Sequence, residues 1–432
     1  MYGTLRFFLH LARDLAGTLA ARWRRFHRRV VLGEQEAAVA VDIFPFFERM
    51  TGVGWYEWNL LASLDKRRDG LFYNLYGPTF LGPQDPAPGR LPGGQRMRLR
   101  LHQIPSGFLF PKNLSLAVLR SVVEPLLRVL DGNAVLFAPN FFAHRTQLPF
   151  GRSTVATVHD LAFAVMPNTV SPATLDELDR HLPVALFRSE RLIAVSEATA
   201  GDMVEHLGVS PRRIHTIHEA VDSSFAADGT DGAAASDPPF EVPERYLLFV
   251  STIEPRKNVL TVLRAFRLAA GWGYPGELLL VGRWGWRTEA IRAELESSPV
   301  RARIRHLDYV DRTYLPALYR AADALLFPSW LEGFGLPILE AMACGTPVIT
   351  SGRSAMPEVA GPAAVYVDPE SAHGIASAVS SLVADAEHRQ RLVRMGRERA
   401  ARFSWDQAAA ATAQVLRQAA GLETDGADEY RV

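Results

Sequence analysis

The run FPSWLEGFGLPILEAMACGTPVI, residues 327–349, joins an apolar strand, Ala324–Phe327, to a helix opening near Leu336. Between them lies a turn rich in glycine. Gly333 and Gly335 can take backbone angles closed to other residues and let a ligand come close to the main chain. Pro337 suits a first helical turn, where its missing N–H would have had no partner. The free N–H groups of that turn, with the positive end of the helix dipole, form a seat for anions and sugar hydroxyls. Two carboxylates flank the seat, Glu332 in the loop and Glu340 one turn into the helix. A carboxylate accepts two hydrogen bonds side by side, which suits vicinal hydroxyls. Taken singly, Glu332 is equally a turn residue and Glu340 a solvated helix position.

Taken together, Glu332 and Glu340, with seven residues between them inside EGFGLPILEAMACGTPVI, resemble the signature of the family 4 retaining glycosyltransferases. The resemblance implies an α/β chain of the GT-B fold, two Rossmann-like domains facing across a cleft, acting on a nucleotide-sugar donor. It places Glu332 among the catalytic residues and Gly333, Phe334, Gly335, Leu336 and Glu340 at the donor. It extends from about Val39 onward, because further motifs follow in the family's order. VATVHDL, ending in His159 and Asp160, resembles the strand whose histidine faces the transferred sugar. Carboxyl ends of strands are where open α/β sheets gather ligands; a structural hydrogen-bonding role is the other reading of His159. EPRKN, residues 254–258, resembles the phosphate-binding motif, in which Arg256 and Lys257 neutralise the leaving group. Asn258 reads as the N-cap of the helix that follows, and Ser196 as another. TGVGWYEWNLL, residues 51–61, resembles the glycine-rich loop beside the donor phosphates, through Gly52 and Gly54. The strand Ile304–Val310 resembles the one whose end meets the nucleobase, at Val310. The EPRKN form and the LVGRWGW turn resemble bacterial mannosyltransferases.

Departures from the pattern occur too. His218-Glu219-Ala220 stands where many relatives carry Asn-Gly before Val-Asp, and Thr252 where many carry an arginine. No D-x-D of the metal-holding type occurs in the body, and no Cys/His cluster. The expectation is therefore no metal and no cofactor beyond a GDP- or UDP-sugar as substrate.

Length and composition agree. A chain of 432 residues exceeds one ordinary domain. Acidic and basic residues balance at 47 each, which excludes a general nucleic-acid binder. The single cysteine, Cys344, permits no intrachain disulfide and fits a reducing compartment, hence a cytoplasmic location. The expected organisation is a basic amphipathic helix over 1–38, a first domain over 39–223, a linker over 224–244, a second domain over 245–402, and a helix over 403–422 crossing back. Within the first stretch, Leu5, Phe8, Leu9, Ala12, Leu15, Leu19, Trp23 and Phe26 share one helical face, beside seven arginines and one acid up to residue 30. That pattern fits either a helix lying on an anionic membrane surface or a helix packed on its own domain.

The implied activity is transfer of a sugar, mannose first, to a glycan or lipid-linked acceptor in cell-surface polysaccharide synthesis. A nucleotide-sugar epimerase of the same fold and a non-catalytic, membrane-associated scaffold are the alternatives.

Overall fold

Thirteen short strands, several of them wholly or almost wholly apolar, build the framework of the computed structural model, which describes residues 36–43, 46, 50–76, 96–100, 132–140, 153–226 and 238–422. Runs such as AAVAVD, YLLFV and ALLF have no polar alternation because they belong to parallel sheets covered on both faces. The first sheet joins β1 (Ala37–Asp42), β2 (Leu71–Tyr76), β3 (Met97–Arg100), β4 (Asn133–Ala138), β5 (Ser153–Val158), β6 (Arg191–Ala194) and β7 (Ile214–Thr216). Its order is β3-β2-β1-β4-β5-β6-β7, and every pairing is parallel. The second joins β8 (Tyr246–Val250), β9 (Glu277–Val281), β10 (Ile304–Leu307), β11 (Ala324–Phe327), β12 (Val348–Ser351) and β13 (Val365–Val367), in the order β10-β9-β8-β11-β12-β13. Both are doubly wound, with strand order reversing between β1 and β4 and between β8 and β11. Ligand crevices form at such reversals, beyond the carboxyl ends of the strands.

Two connections run between the sheets. One passes through Ser223–Phe225, where Arg320 holds the Ala226 carbonyl at 3.1 Å and the Cys344 thiol faces the Phe225 carbonyl at 3.3 Å. The other is the helix Trp405–Ala419, which packs on the helix Gly52–Asp65 of the first domain. There the Tyr56 and Trp405 rings meet edge to face at 5.8 Å, and Arg417 reaches the Asp69 carbonyl.

Several sequence readings change. Gly52 and Gly54 open the Gly52–Asp65 helix instead of preceding it as a loop. Asn258 occupies the N-cap position of the helix Val259–Gly271 in a left-handed conformation, but its side chain does not cap. Its amide donates instead to the Pro328 and Pro369 carbonyls at 3.0 and 2.7 Å. Ser196 does cap, accepting from the Thr199 N–H at 3.0 Å. The strand expected over Ile304–Val310 stops at Leu307, because its neighbour ends at Val281 and the Gly282 N–H closes the ladder on the Leu307 carbonyl. The N-terminal helix, the Gly77–Gly94 loop, most of the linker and the tail after Leu422 lie outside the described residues.

Candidate active site

Where β8 ends, the chain turns through Glu254, Pro255, Arg256 and Lys257; where β11 ends, it turns through Leu331, Glu332 and Gly333. The two turns meet. Lys257 Nζ lies 2.7 and 2.6 Å from the two Glu332 carboxylate oxygens, with both residues buried. Arg256 is gripped more widely. It donates to the Leu331 carbonyl at 2.9 Å and to Glu254 Oε1 at 3.1 Å, and its Nη1 stands 3.6 Å from Glu332 Oε2. The same Nη1 crosses to the first domain, 3.5 Å from Asp160 at the end of β5. Burial works against the Arg256 charge, but Asp160, Glu332 and Glu254 together outweigh it and hold the proton on. Asp160 answers in kind. Its burial favours the neutral acid, yet Arg256, the Ala162 N–H and Lys257 keep it ionised below the usual carboxylate range. Glu254 is the exception, pushed up by burial more than Arg256 and Lys257 pull it down. Two cations thus sit among three carboxylates in a desolvated crevice, where charges act far more strongly than in water.

Beyond this cluster the helix Leu336–Cys344 begins at Gly335, whose φ of 104° is the left-handed region that favours glycine. No side chain caps its first turn, so the turn keeps the character of an anion seat. Glu340 is buried with both oxygens engaged, Oε1 by Arg312 at 2.9 Å and Oε2 by the Tyr319 hydroxyl at 2.9 Å. A carboxylate has lone pairs left for two further donors. The Arg312 guanidinium is flanked by the Trp55 ring at 4.8 Å and the Phe225 ring at 4.7 Å. Through Trp55, the helix that begins at Gly52 and Gly54 therefore reaches the partner of Glu340. Val310, three residues beyond β10, is buried.

His159 directly follows β5 and has both ring nitrogens engaged. Nε2 donates to the Pro139 carbonyl at 2.8 Å, and Nδ1 stands 3.3 Å from Glu219. Its ring meets Tyr56 edge-on at 4.7 Å. The main chain of His159 packs tightly on the opposite domain, since a Cβ added to Gly333 would lie 1.4 Å from the His159 carbonyl oxygen. Phe334 turns away from the crevice into a cluster with His218 at 5.9 Å and Phe403 at 5.7 Å. Leu336 is partly buried on the helix's first turn. Trp286 and Arg287, in the turn after β9, donate to the Thr169 and Asn168 carbonyls of the first domain, each at 2.5 Å.

Sequence reasoning missed three members of this arrangement. Arg312, Glu254 and Glu219 carry no local signal of their own, although Glu254 stands inside the EPRKN run read only for its cations. Among the described residues no group of three His, Cys, Asp or Glu side chains could hold a metal ion.

The chain matches two family models in succession, Glycosyltransferase Family 4 over residues 51–225 and Glycosyl transferases group 1 over residues 235–399. It is 30% identical over 277 residues to O-antigen chain mannosyltransferase B of Escherichia coli, covering 63% of this chain and 71% of that one. The chain belongs to family 4 of the glycosyltransferases. Within that family it is also 34% identical over 275 residues to D-inositol 3-phosphate glycosyltransferase 2 of Catenulispora acidiphila, covering 61% of this chain and 63% of the relative. The GT-B arrangement is shared with sucrose-phosphate synthase of Thermosynechococcus elongatus, at a TM-score of 0.68 and 21% identity over 90% of this glycosyltransferase and 100% of that chain. Anabaena HepE, solved with UDP, superimposes at a TM-score of 0.63 with 16% identity, covering 88% of this chain and 100% of that one.

Proposed function

We propose that this glycosyltransferase moves a sugar, mannose first, from a GDP- or UDP-sugar to a glycan or lipid-linked acceptor in cell-surface polysaccharide synthesis, retaining the anomeric configuration. The observation that carries this reading is the Lys257–Glu332 pair at 2.6 Å, set at the strand reversal beside Arg256 and the uncapped helix turn. In this reading Lys257 and Arg256 take the charge of the departing diphosphate, together with the Gly335–Leu336 turn. Glu332, released from Lys257 as the phosphates arrive, accepts from sugar hydroxyls. His159 joins it by exchanging its longer bond, the one to Glu219. Glu340 receives the ribose and Val310 the base, and the acceptor hydroxyl attacks from the face the diphosphate leaves. The charge thus falls on protein groups and needs no metal ion. The mannose assignment leans on the Escherichia coli mannosyltransferase relative, and the nucleotide donor on HepE, solved with UDP.

The test is thermal denaturation of the full chain with GDP-, UDP- and ADP-sugars in turn. A ligand present at about a hundred times its Kd stabilises by about 2.7 kcal/mol. One nucleotide series should raise the melting temperature; none doing so at millimolar concentration sinks the reading.

The N-terminal stretch extends the proposal to a peripheral protein on the cytoplasmic face of the membrane, within reach of a lipid-linked acceptor. Its arginines would each add about 1 kcal/mol near an anionic surface, less as salt rises. The full chain should co-sediment with anionic vesicles and be released by high salt, while a chain beginning near Gly33 should stay in solution. Equal behaviour of the two would make the stretch a packing element.

A further inference from the structure

Away from the cation cluster, one helix N-terminus in the first domain holds two separate pieces of the second. The helix Glu197–Leu207 is capped by Ser196, and the Ser196 and Thr199 hydroxyls both donate to the Gly333 carbonyl, at 2.5 and 3.1 Å. Its leading amides point elsewhere. The Glu197 and Ala198 N–H groups donate to the Glu358 carboxylate at 2.8 and 3.3 Å. Glu358 belongs to the short helix Met356–Ala360 of the second domain. His218 Nε2, on the segment leading to the first interdomain connection, donates to the same carboxylate at 2.6 Å. One side chain therefore ties together a helix of the first domain, the connecting segment and the second domain.

The Glu358 end is braced within its own domain. Arg399, from the helix Ala386–Ala400, donates to the Val359 carbonyl at 2.9 Å and to the Glu358 carbonyl, fixing the turn that carries the carboxylate. Burial would favour the neutral acid. The His218 imidazole and the two amides outweigh it, so the carboxyl stays ionised below its usual range. An anion on leading helix amides is the favourable partner for the helix dipole, and bonds to a charged acceptor are the strong ones. Near this contact Gly333 packs against the His159 carbonyl, with no room for a Cβ between them. The Phe334 ring packs on His218 itself.

We propose that Glu358 is a positioning residue for sugar transfer, latching the two domains so that the Glu332–Gly333 loop meets His159 in the geometry of reaction. It rests on the glycosyl-transfer reading for its kinetic consequence and on the interdomain geometry alone for the latch. His218 is the latch's second half, which gives a physical use to the His218-Glu219-Ala220 departure from the family pattern.

The experiment compares the full chain with Glu358→Gln, Glu358→Asp and His218→Gln. Solution X-ray scattering with GDP and with UDP reports domain separation; turnover and nucleoside-diphosphate affinity are measured beside it. Glu358→Gln removes the charge and should lower kcat by about tenfold, since both a dipole contact and charged hydrogen bonds weaken. Its radius of gyration should rise, while diphosphate affinity stays within about twofold because the phosphate-binding cations lie in the second domain. Glu358→Asp keeps the charge and should recover part of both. His218→Gln should open the domains less, and its effect should not add to that of Glu358→Gln. Wild-type scattering in both Glu358→Gln and His218→Gln would overturn the proposal, as would a lowered kcat without any change in domain separation. Should Glu358→Gln fail to fold, the His218→Gln scattering decides alone. Should no sugar transfer be found at all, the scattering still tests the latch, so the two failures remain separate.

Discussion

Replacing Lys257 by alanine should lower turnover by roughly two to three orders of magnitude, as loss of one preorganised charge-stabilising donor does elsewhere. Lys257 is buried, its ammonium spans both Glu332 oxygens, and it lies 5.8 Å over the Phe327 ring. Arg256, the neighbouring cation, shares the diphosphate charge from its own place beside Glu332, at 3.6 Å, and is not free to take over that of Lys257. Arg256 is already committed to Glu254, Leu331 and Asp160. The leaving diphosphate gains negative charge as the sugar–oxygen bond breaks, so a fixed cation there stabilises the transition state more than the bound donor. The loss should appear in kcat, with donor KM changed far less. The alanine variant also leaves Glu332 beside Arg256 alone, at 3.6 Å, so its melting temperature should be measured alongside. Altered donor KM with normal kcat would contradict the assignment.

Gly333→Ala should be comparably damaging for a different reason. The new methyl carbon would stand 1.4 Å from the His159 carbonyl oxygen and 2.6 Å from its carbon, both backbone atoms of the opposite domain. Neither can rotate away, so the domains must part. A displacement of about 1 Å in a positioned site can cost roughly a hundredfold in rate, and this overlap demands more. Turnover should fall by at least that factor. Each domain keeps its own sheet and helices, so far-ultraviolet circular dichroism should stay that of the wild type. A Gly333→Ala enzyme with near-normal kcat would mean that transfer does not need the domains in contact at this point.

How much of this was written legibly in the chain depends on the range of the interaction. Strands with both faces covered announce themselves as apolar runs, and Ala324–Phe327 appears with the bounds read from sequence. Met97–Arg100 does not, because MRLR is an edge strand pairing on one side only and spends half its residues on arginine. Arg256, Lys257 and Glu332 were legible because each stands in a compact run whose residue types state the chemistry. Their partners were not. Asp160 finds Arg256, and Glu358 finds Glu197 and His218, across 96, 161 and 140 residues, contacts that exist only once two sheets face each other. Side-chain direction was equally hidden: Phe334 sits in the glycine turn by sequence but packs toward His218 and Phe403. Local rules read Asn258 as a side-chain cap; carbonyls of Pro328 and Pro369, 70 and 111 residues away, took the amide instead.

The central claim is sugar transfer with retention at the Lys257–Glu332 crevice, and the anomeric proton signal of the product tests it most directly. The full chain, given its stabilising nucleotide sugar and a candidate glycan acceptor, should form a new glycoside whose one-bond coupling between the anomeric carbon and its proton matches the anomer of the donor. A product of the opposite anomer would contradict the account. So would a donor converted to a different nucleotide sugar with no acceptor present, which is the signature of an epimerase.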